Sequence, residues 1–248
     1  MNIKLRYIIL FIVFSFFGEQ YSYAVVNIIP APPKISASSY LLMDFDSGKI
    51  LIEENIHKKL PPASLTKMMT VYVVATELEK GTISLLDEVI VSRKAYDTLG
   101  SRMFIEIGHK VKLEDLLLGV IIQSGNDASV ALAEHISGSE EVFANLMNQH
   151  ALHLGMNNTQ FANSTGMPVK DLEHITTAYD LAILARALIK DYPEVYDLHK
   201  IKEFTYGENP PIKQYNRNKL LWRDKSVDGI KTGHTEEAGY CLVASALR

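Results

Sequence analysis

The spacing of hydrophobic and polar positions changes twice along the chain, from a β pattern to a helical pattern and back. Near the start, Tyr40 to Asp44 and Ile50 to Glu53 predict two strands joined by a turn at Asp44-Phe45-Asp46-Ser47-Gly48. In the middle, apolar residues recur at i, i+3 and i+4, which predicts helices over 65–80, 113–123, 128–136, 140–154 and 177–190. Strands return near the end, over 204–206, 227–231 and 239–246.

Strands at both ends with helices between them predict an α+β fold. We expect an antiparallel sheet formed by both chain ends, with a helical lobe inserted between them. This domain is placed at residues 39–248, after a Pro-rich linker at 25–38. Ser139 and Thr176 are the expected N-caps of the last two helices.

The first 24 residues have the pattern of an export signal. Lys4 and Arg6 form a short positive region, the apolar run from Tyr7 to Phe17 follows, and Ser22-Tyr23-Ala24 places small residues where signal peptidase cleaves. A retained membrane anchor is the alternative, but a span needs about 20 apolar residues. We therefore expect residues 1–24 to be removed, no further membrane anchor in the chain, and a mature protein in the periplasm or cell envelope.

Composition narrows the remaining classes of function. The 248 residues carry 25 Lys and Arg against 29 Asp and Glu, with no basic stripe, so no nucleic-acid partner is expected. Cys241 is the only cysteine, which excludes an intramolecular disulfide, and it has no basic neighbour to make it a nucleophile. No His, Asp and Glu residues have the spacing of a metal site, and no metal or other cofactor is expected.

The first candidate motif is Ser64-Leu65-Thr66-Lys67, immediately after Pro61-Pro62-Ala63. If a helix begins at Ser64, the lysine amine lies one turn from the serine hydroxyl and can take its proton. A lysine acts as a base only where burial or another positive charge lowers its pKa. Taken alone the motif is weak, because a helix cap followed by a surface lysine has the same pattern.

Two further motifs contain polar residues that could act together with Ser64 and Lys67. Ser124-Gly125-Asn126 lies between two predicted helices, where it is either a loop that faces a cleft or a capping turn. Lys231-Thr232-Gly233-His234 ends a predicted strand. There Lys231 would help to keep Lys67 neutral, Thr232 could donate to a substrate carboxylate, and Gly233 leaves room for a substrate along the strand. The backbone N–H groups of His234 and Ser64 could form an oxyanion hole.

Together, and in this order, the three motifs resemble the signature of the penicillin-binding proteins and serine β-lactamases. The likeness is closest to the D-alanyl-D-alanine carboxypeptidases, and it extends from about Ser36 to the last residue. It is supported by longer matching stretches at 62–70, 119–128 and 227–235, and by Asn216-Arg217-Asn218.

The resemblance implies roles for the residues of the first two motifs. Ser64 would attack the carbonyl between two D-alanines and form an acyl-enzyme, with Lys67 as the general base in acylation. Ser124 would pass the proton to the leaving amine, and Asn126 would hold the amide of the substrate. The implied substrates are peptidoglycan stem peptides, and β-lactam antibiotics would be covalent inhibitors.

The resemblance also assigns the recognition of the substrate carboxylate. Lys231 and Thr232 would bind the terminal carboxylate, and Arg217 is either a further positive charge near it or a solvated surface residue. His234 suggests a Ser-His-Asp triad, but Lys67 already lies beside the serine. We therefore expect His234 to act through its backbone and packing, and His174 to be structural.

Two alternatives remain at this point. A class A β-lactamase would carry Ser-Asp-Asn as its second motif and a Glu-x-x-Leu-Asn stretch, whereas this chain has Gly125 and no such stretch. The second alternative is a truncated, non-catalytic protein that binds penicillin or peptidoglycan. This alternative is considered because relatives continue beyond the strand at 239–246. We therefore expect a C-terminal strand and helix to be missing. The missing strand would lie between the strand at 239–246 and the N-terminal hairpin.

Overall fold

The computed structural model describes residues 34–207 and 210–248. The predicted export signal and residues 25–33 of the predicted linker lie outside these residues. Within the described ranges, no helix is both long enough and apolar enough to cross a membrane.

Helices fill the middle of the chain, as the helical periodicity predicts. In chain order they are α1 (Lys67–Glu79), α2 (Arg93–Asp97), α3 (Leu113–Leu118), α4 (Asn126–Ser137), α5 (Glu140–Leu154), α6 (Ala178–Asp191), α7 (Pro193–Tyr196) and α8 (Leu220–Arg223). Short turns of other helical types adjoin them, namely 3₁₀ turns at Ala63–Thr66 and Asp197–Lys200 and a π turn at Gly119–Gln123.

The strands form antiparallel pairs. The pairs are β1 (Tyr40–Met43) with β2 (Ile50–Glu54), β3 (Glu88–Ile90) with β4 (Lys110–Lys112), β5 (Glu203–Tyr206) with β6 (Ile212–Tyr215), and β7 (Val227–Thr235) with β8 (Gly239–Ala246). Helices and antiparallel strands together confirm the predicted α+β class. The two chain ends contribute separate pairs, since no ladder joins β1–β2 to β7–β8 among the described strands, and α6 packs against both β1 and β8.

Helix α1 lies at the centre of the core, which fixes the position of its first turn. Residues 67–76 of this helix are all buried, and a helix that is buried on every side belongs to the interior of a domain. It packs against α4, α5 and α6. Because protein interiors are close-packed, the start of α1 cannot shift without disturbing all three neighbours.

The helix predicted over 65–80 starts two residues later than predicted. Ala63–Thr66 is a 3₁₀ turn and α1 begins at Lys67, so Ser64 lies in this turn and not in an α-helix. Ala63 has φ of 45°, in the left-handed region, so the chain enters the turn from a direction that an α-helix would not allow. Tight turns of this kind are common at helix N-termini, and the serine and the lysine still stand one turn apart.

Three further differences from the prediction lie near the motifs or at a predicted helix cap. The helix predicted over 113–123 is α-helical only to Leu118 and then becomes the π turn. Thr177, and not Thr176, caps α6, since its hydroxyl accepts a hydrogen bond of 3.0 Å from the N–H of Asp180. Strand β7 runs to Thr235, so the third motif lies inside the strand and not at its end.

Candidate active site

The first two motifs meet at the amine of Lys67. The Nζ atom of this lysine lies 3.3 Å from Oγ of Ser64. It also donates hydrogen bonds of 2.7 Å to Oδ1 of Asn126 and of 2.6 Å to the carbonyl oxygen of Thr165. The lysine is fully buried, with 0% of its surface exposed, whereas Ser64 is partly open to solvent. A buried amine that could act as a base therefore lies next to a serine hydroxyl on the solvent-accessible side of the site.

Burial determines the charge of this lysine. Loss of water contact lowers the pKa of Lys67 well below its usual value, and the positive charges of Lys231 and Arg217 lower it further. Asp127 and Glu140 act in the opposite direction, with smaller effects than burial. Lys231 therefore lowers the pKa of Lys67, which is the direction predicted, and its effect is smaller than that of burial.

The second motif sits where the π turn ends. Ser124 adopts a left-handed conformation, with φ of 63°, which costs a non-glycine residue about 1–2 kcal/mol. Its hydroxyl is buried and has no hydrogen-bond partner in the described part of the chain. Asn126 is held on both sides, because its Nδ2 donates to the carbonyl of Leu99 at 2.6 Å while its Oδ1 accepts from Lys67.

Asp127 is a site residue that the sequence analysis missed. Its carboxylate is fully buried and accepts hydrogen bonds of 2.8 Å from the N–H groups of both Met103 and Phe104. The loop before α3 is thereby tied to the start of α4, directly beside Asn126. The signal was present in the sequence as an acidic residue within an apolar stretch, although nothing there identified its partners.

The third motif brings strand β7 against the serine turn. A Cβ atom added to Gly233 would lie 3.1 Å from the backbone nitrogen of Ser64 and 3.3 Å from Cβ of Ala63. Such contacts are closer than side-chain atoms normally tolerate, so glycine at this position allows the strand to approach Ser64. The space that a side chain would occupy at Gly233 is taken by the serine turn itself.

Lys231 is the second buried lysine of the site. It is 3% exposed, and among the described residues its Nζ donates one hydrogen bond, of 3.0 Å, to the carbonyl of Thr232. Burial lowers the pKa of Lys231 to about 7, and the positive charge of Arg217 contributes to the same direction. Arg217 itself is exposed and its Nε donates to the carbonyl of Gln123, the last residue of the π turn, at 3.0 Å. This places the guanidinium group beside the second motif.

The two histidines of interest have no hydrogen bond to Ser64 among the described contacts. The ring of His234 is exposed and packs against Tyr240, with 4.3 Å between the ring centroids. His174 is buried, and its Nε2 lies 2.8 Å from Oγ1 of Thr66, in the serine turn. Burial lowers the pKa of His174 to about 4, so its ring is neutral at pH 7. The geometry favours a lysine rather than a histidine as the partner of Ser64.

The loop at residues 163–166, which the sequence analysis did not select, also contacts Lys67. Oδ1 of Asn163 accepts hydrogen bonds from the N–H groups of Thr165 and Gly166, at 3.0 and 2.8 Å, which fixes the carbonyl of Thr165 toward the lysine. Gly166 has φ of 88°, and an added Cβ would lie only 1.8 Å from the carbonyl oxygen of Ala63. Only glycine fits here. The clue was the turn-forming sequence Asn163-Ser164-Thr165-Gly166.

The family model described as D-alanyl-D-alanine carboxypeptidase, of the S11 peptidases, matches residues 26–248. The chain belongs to the D-alanyl-D-alanine carboxypeptidase family. The family that the three motifs predict is thereby confirmed. Among its curated members, the D-alanyl-D-alanine carboxypeptidase DacC of Escherichia coli (strain K12) is 46% identical over 240 residues. This match covers 94% of the present chain and 58% of DacC, so the chain spans less than two thirds of that relative.

Solved structures of the family have the same fold. The D-alanyl-D-alanine carboxypeptidase DacD from Francisella tularensis superposes with a TM-score of 0.87 at 35% identity, covering 94% of this chain and 68% of that one. Penicillin-binding protein D2 from Listeria monocytogenes, in its ampicillin-bound form, gives a TM-score of 0.79 at 29% identity, covering 88% of this chain and 87% of that one. These likenesses confirm the predicted penicillin-binding-protein type of α+β fold.

Gly125 distinguishes this chain from a class A β-lactamase, which would carry an aspartate at this position of the second motif. An added Cβ at this position would lie 3.0 Å from Oδ1 of Asp127 and 3.2 Å from the backbone nitrogen of Met103. An aspartate there, as in a Ser-Asp-Asn motif, would bring a second carboxylate against Asp127 and take space from the 101–105 loop. The backbone of this site is thus adapted to Ser-Gly-Asn.

Proposed function

We propose that this protein is a serine-type D-alanyl-D-alanine carboxypeptidase, which removes the terminal D-alanine of peptidoglycan stem peptides through an acyl-enzyme on Ser64. The proposal is supported by family membership and by the named activity of the E. coli relative. The catalytic domain would be residues 39–248. Residues 1–24 would be a cleaved export signal, which would place the enzyme in the periplasm or cell envelope with its cell-wall substrate.

The contacts of Lys67 carry this proposal. A neutral amine has two N–H bonds and one lone pair. The two hydrogens are taken by Oδ1 of Asn126 and the carbonyl of Thr165, at 2.7 and 2.6 Å. The lone pair is then left for Oγ of Ser64, at 3.3 Å. Because burial favours the neutral amine, the site holds Lys67 as a proton acceptor oriented toward its nucleophile.

Acylation follows from this geometry. As Ser64 Oγ bonds to the substrate carbonyl carbon, its proton moves to Nζ of Lys67, and the negative charge develops on the carbonyl oxygen. The backbone N–H groups of Ser64 and His234 would stabilise that oxygen. The bond to the leaving D-alanine then breaks, and its nitrogen takes up a proton through the hydroxyl of Ser124. Hydrolysis of the ester by water releases the shortened peptide and returns Ser64.

The leaving residue of such a substrate carries a carboxylate, and Lys231 and Thr232 would bind it. A buried lysine with one backbone acceptor has unused donor capacity, and an incoming carboxylate would supply both a hydrogen-bond partner and an opposite charge. β-Lactams also present a carboxylate beside a reactive carbonyl, so they should acylate Ser64 as well. A penicillin-binding protein similar to this chain has been solved in an ampicillin-bound form.

The test is the intact mass of the protein before and after exposure to benzylpenicillin. We expect the mass to rise by one penicillin, and Ser64→Ala to abolish the rise while keeping the same melting transition. Ser38→Ala, at an exposed serine far along the chain from the site, is the control and should react fully. Release of D-alanine from an acyl-D-alanyl-D-alanine peptide should follow the same pattern. An adduct that persists in Ser64→Ala would contradict the proposed nucleophile.

A further inference from the structure

A buried carboxylate lies against the loop at 163–166 and has no role in the proposed chemistry. Glu140, in the first turn of α5, is 9% exposed. Its Oε1 accepts hydrogen bonds of 2.8 Å from Oγ of Ser164 and of 3.1 Å from the N–H of the same residue. Its Oε2 lies 3.1 Å from Nζ of Lys94, on α2. Burial of a carboxylate is costly unless it is paired and hydrogen-bonded, so these contacts hold Glu140 in one position.

Ser164 is held from its other side by the helix that carries Lys67. The carbonyl oxygen of Ser164 accepts a hydrogen bond of 2.8 Å from Oγ1 of Thr70. Thr70 follows Lys67 by three positions on α1, so the two side chains lie on one face of this helix. The N–H, hydroxyl and carbonyl groups of Ser164 are thus all bound, and the residue is fully buried. Rotation of its backbone would break at least one buried hydrogen bond, which is unfavourable.

The residue after Ser164 supplies one of the two acceptors of the base. The carbonyl oxygen of Thr165 accepts a hydrogen bond of 2.6 Å from Nζ of Lys67. Because each residue has only two free backbone torsions, a backbone that is fixed at Ser164 also restricts the direction of this carbonyl. An amine whose two hydrogens are both bound offers its lone pair in one direction. The direction of the Thr165 carbonyl therefore helps to aim the lone pair of Lys67 at Ser64.

We propose that Glu140 is a positioning residue for the general base, which acts through Ser164 to orient the Thr165 carbonyl and with it the lone pair of Lys67. The inference depends on the proposed function, because the orientation of Lys67 matters only if this lysine takes the proton of the nucleophile. Burial lowers the pKa of Lys67, and the negative charge of Glu140 acts in the opposite direction. Two substitutions separate the hydrogen bonds from this charge. Aspartate keeps the charge but is shorter, whereas glutamine keeps an acceptor oxygen at the same distance but is neutral.

Glu140→Asp tests the hydrogen bonds, because its carboxylate is one methylene group too short to reach Ser164 from the same backbone position. We expect the rate constant for acylation by benzylpenicillin to fall by roughly 10- to 100-fold, as is typical of a misplaced reacting group. The dissociation constant of Nα,Nε-diacetyl-L-Lys-D-Ala-D-Ala, measured in the Ser64→Ala background with and without Glu140→Asp, should change by less than about threefold. A loss of rate without a loss of affinity is expected of a positioning residue, whereas a general loss of structure would reduce both.

Glu140→Gln keeps the acceptor oxygen, so its highest acylation rate should stay within about threefold of that of the unmutated protein. Its pH dependence should differ, because a nearby negative charge favours the protonated lysine. Without that charge the pKa of Lys67 is lower, and the rise of the acylation rate with pH should begin at lower pH. Lys231, Arg217 and Asp127 also act on this pKa and are unchanged in the variant. In Glu140→Asp the charge remains, so the rise should stay in place while the rate falls.

Glu141→Gln is the matched control. Glu141 lies in the same first turn of α5, is exposed, and also pairs with Lys94, at 3.0 Å. Its loss should leave both the acylation rate and its pH dependence unchanged. An unmutated acylation rate in Glu140→Asp, a loss in Glu140→Gln as large as in Glu140→Asp, or a loss of peptide affinity equal to the loss of rate would overturn the positioning role. Absence of a penicillin adduct on the unmutated protein would instead overturn the proposed function.

Discussion

The site contains two buried lysines, and their surroundings differ. Lys67, at the first turn of α1, has Asn126 Oδ1 and the Thr165 carbonyl as fixed acceptors and Ser64 Oγ at 3.3 Å. Lys231, within β7, has one acceptor, the carbonyl of the next residue. Burial lowers the pKa of both, for Lys231 to about 7 and for Lys67 well below its usual value.

The difference separates a chemical role from a recognition role. An amine whose two hydrogens are already bound offers its lone pair in one direction, which suits a general base. An amine with unused donors and a pKa near neutrality gains most from an incoming anion, which suits a carboxylate site. The different surroundings thus support the two different tasks proposed for these lysines, although both are buried.

The largest expected effect comes from removing the base. Lys67→Met fills similar space without a proton acceptor, so the rate constant for acylation by benzylpenicillin should fall by roughly 10²- to 10⁴-fold. The rate is followed by the intact mass as a function of time. Lys80→Met, at the exposed end of the same helix, should acylate at the original rate. If Lys67→Met reacted within tenfold of the unmutated protein, the two lysines would not differ in the way proposed.

The second-largest expected effect concerns the loop at 163–166, whose Thr165 carbonyl is one of the two hydrogen-bond acceptors of Lys67. Gly166→Ala would place a Cβ 1.8 Å from the Ala63 carbonyl oxygen, so the loop must move away from the serine turn and take the Thr165 carbonyl with it. Gly155→Ala is a matched control, because its φ of 82° is close to the 88° of Gly166 but no atom lies within 4 Å of the added Cβ.

We expect Gly155→Ala to lose about 1–2 kcal/mol of unfolding free energy, which is the cost of the left-handed conformation alone. Gly166→Ala should lose more than this and should also acylate more slowly. Urea unfolding and the acylation time course measure the two quantities. Equal losses of stability with unchanged acylation in both variants would show that the loop does not hold Lys67 in its working geometry.

The two lysines also show what the sequence could and could not predict. The pattern of strands and helices was enough to predict the α+β class, which the related structures confirm. The short motifs also selected Ser64, Lys67 and Asn126, which the structure brings into contact. The helix predicted from Leu65 starts only at Lys67, because the preceding turn depends on the backbone of Ala63, whose φ of 45° has no signature in an alanine. Periodicity also does not distinguish the π turn before Ser124 from an α-helix.

What escaped prediction consists mainly of contacts between distant segments. The Thr165 carbonyl reaches Lys67 across 98 positions of sequence, and a backbone carbonyl carries no residue-type signal. Asp127 was not selected because its partners are backbone N–H groups of another loop. Such roles depend on packing, which short-range patterns do not encode.

The smallest expected effect concerns Lys231, the lysine proposed to bind the substrate carboxylate. Lys231 attracts a carboxylate in its protonated form, so peptide affinity should be highest below pH 7 and should fall as the pH rises through about 7. The charge of Arg217 lowers the pKa of Lys231. Arg217→Gln should therefore raise that pKa and move the loss of affinity to higher pH. Burial is the larger cause and remains, so the shift should be less than about one pH unit.

The dissociation constant of Nα,Nε-diacetyl-L-Lys-D-Ala-D-Ala, measured against pH with the Ser64→Ala protein, isolates this effect from the titration of the base in turnover. Lys219→Gln, which removes another exposed positive charge two residues away, is the control and should leave the midpoint in place. An unchanged midpoint in Arg217→Gln, or an equal shift in both variants, would mean that Arg217 contributes only general surface charge. A shift confined to Arg217→Gln would show that the recognition side of the site is tuned by its neighbours, whereas the catalytic lysine is set mainly by burial.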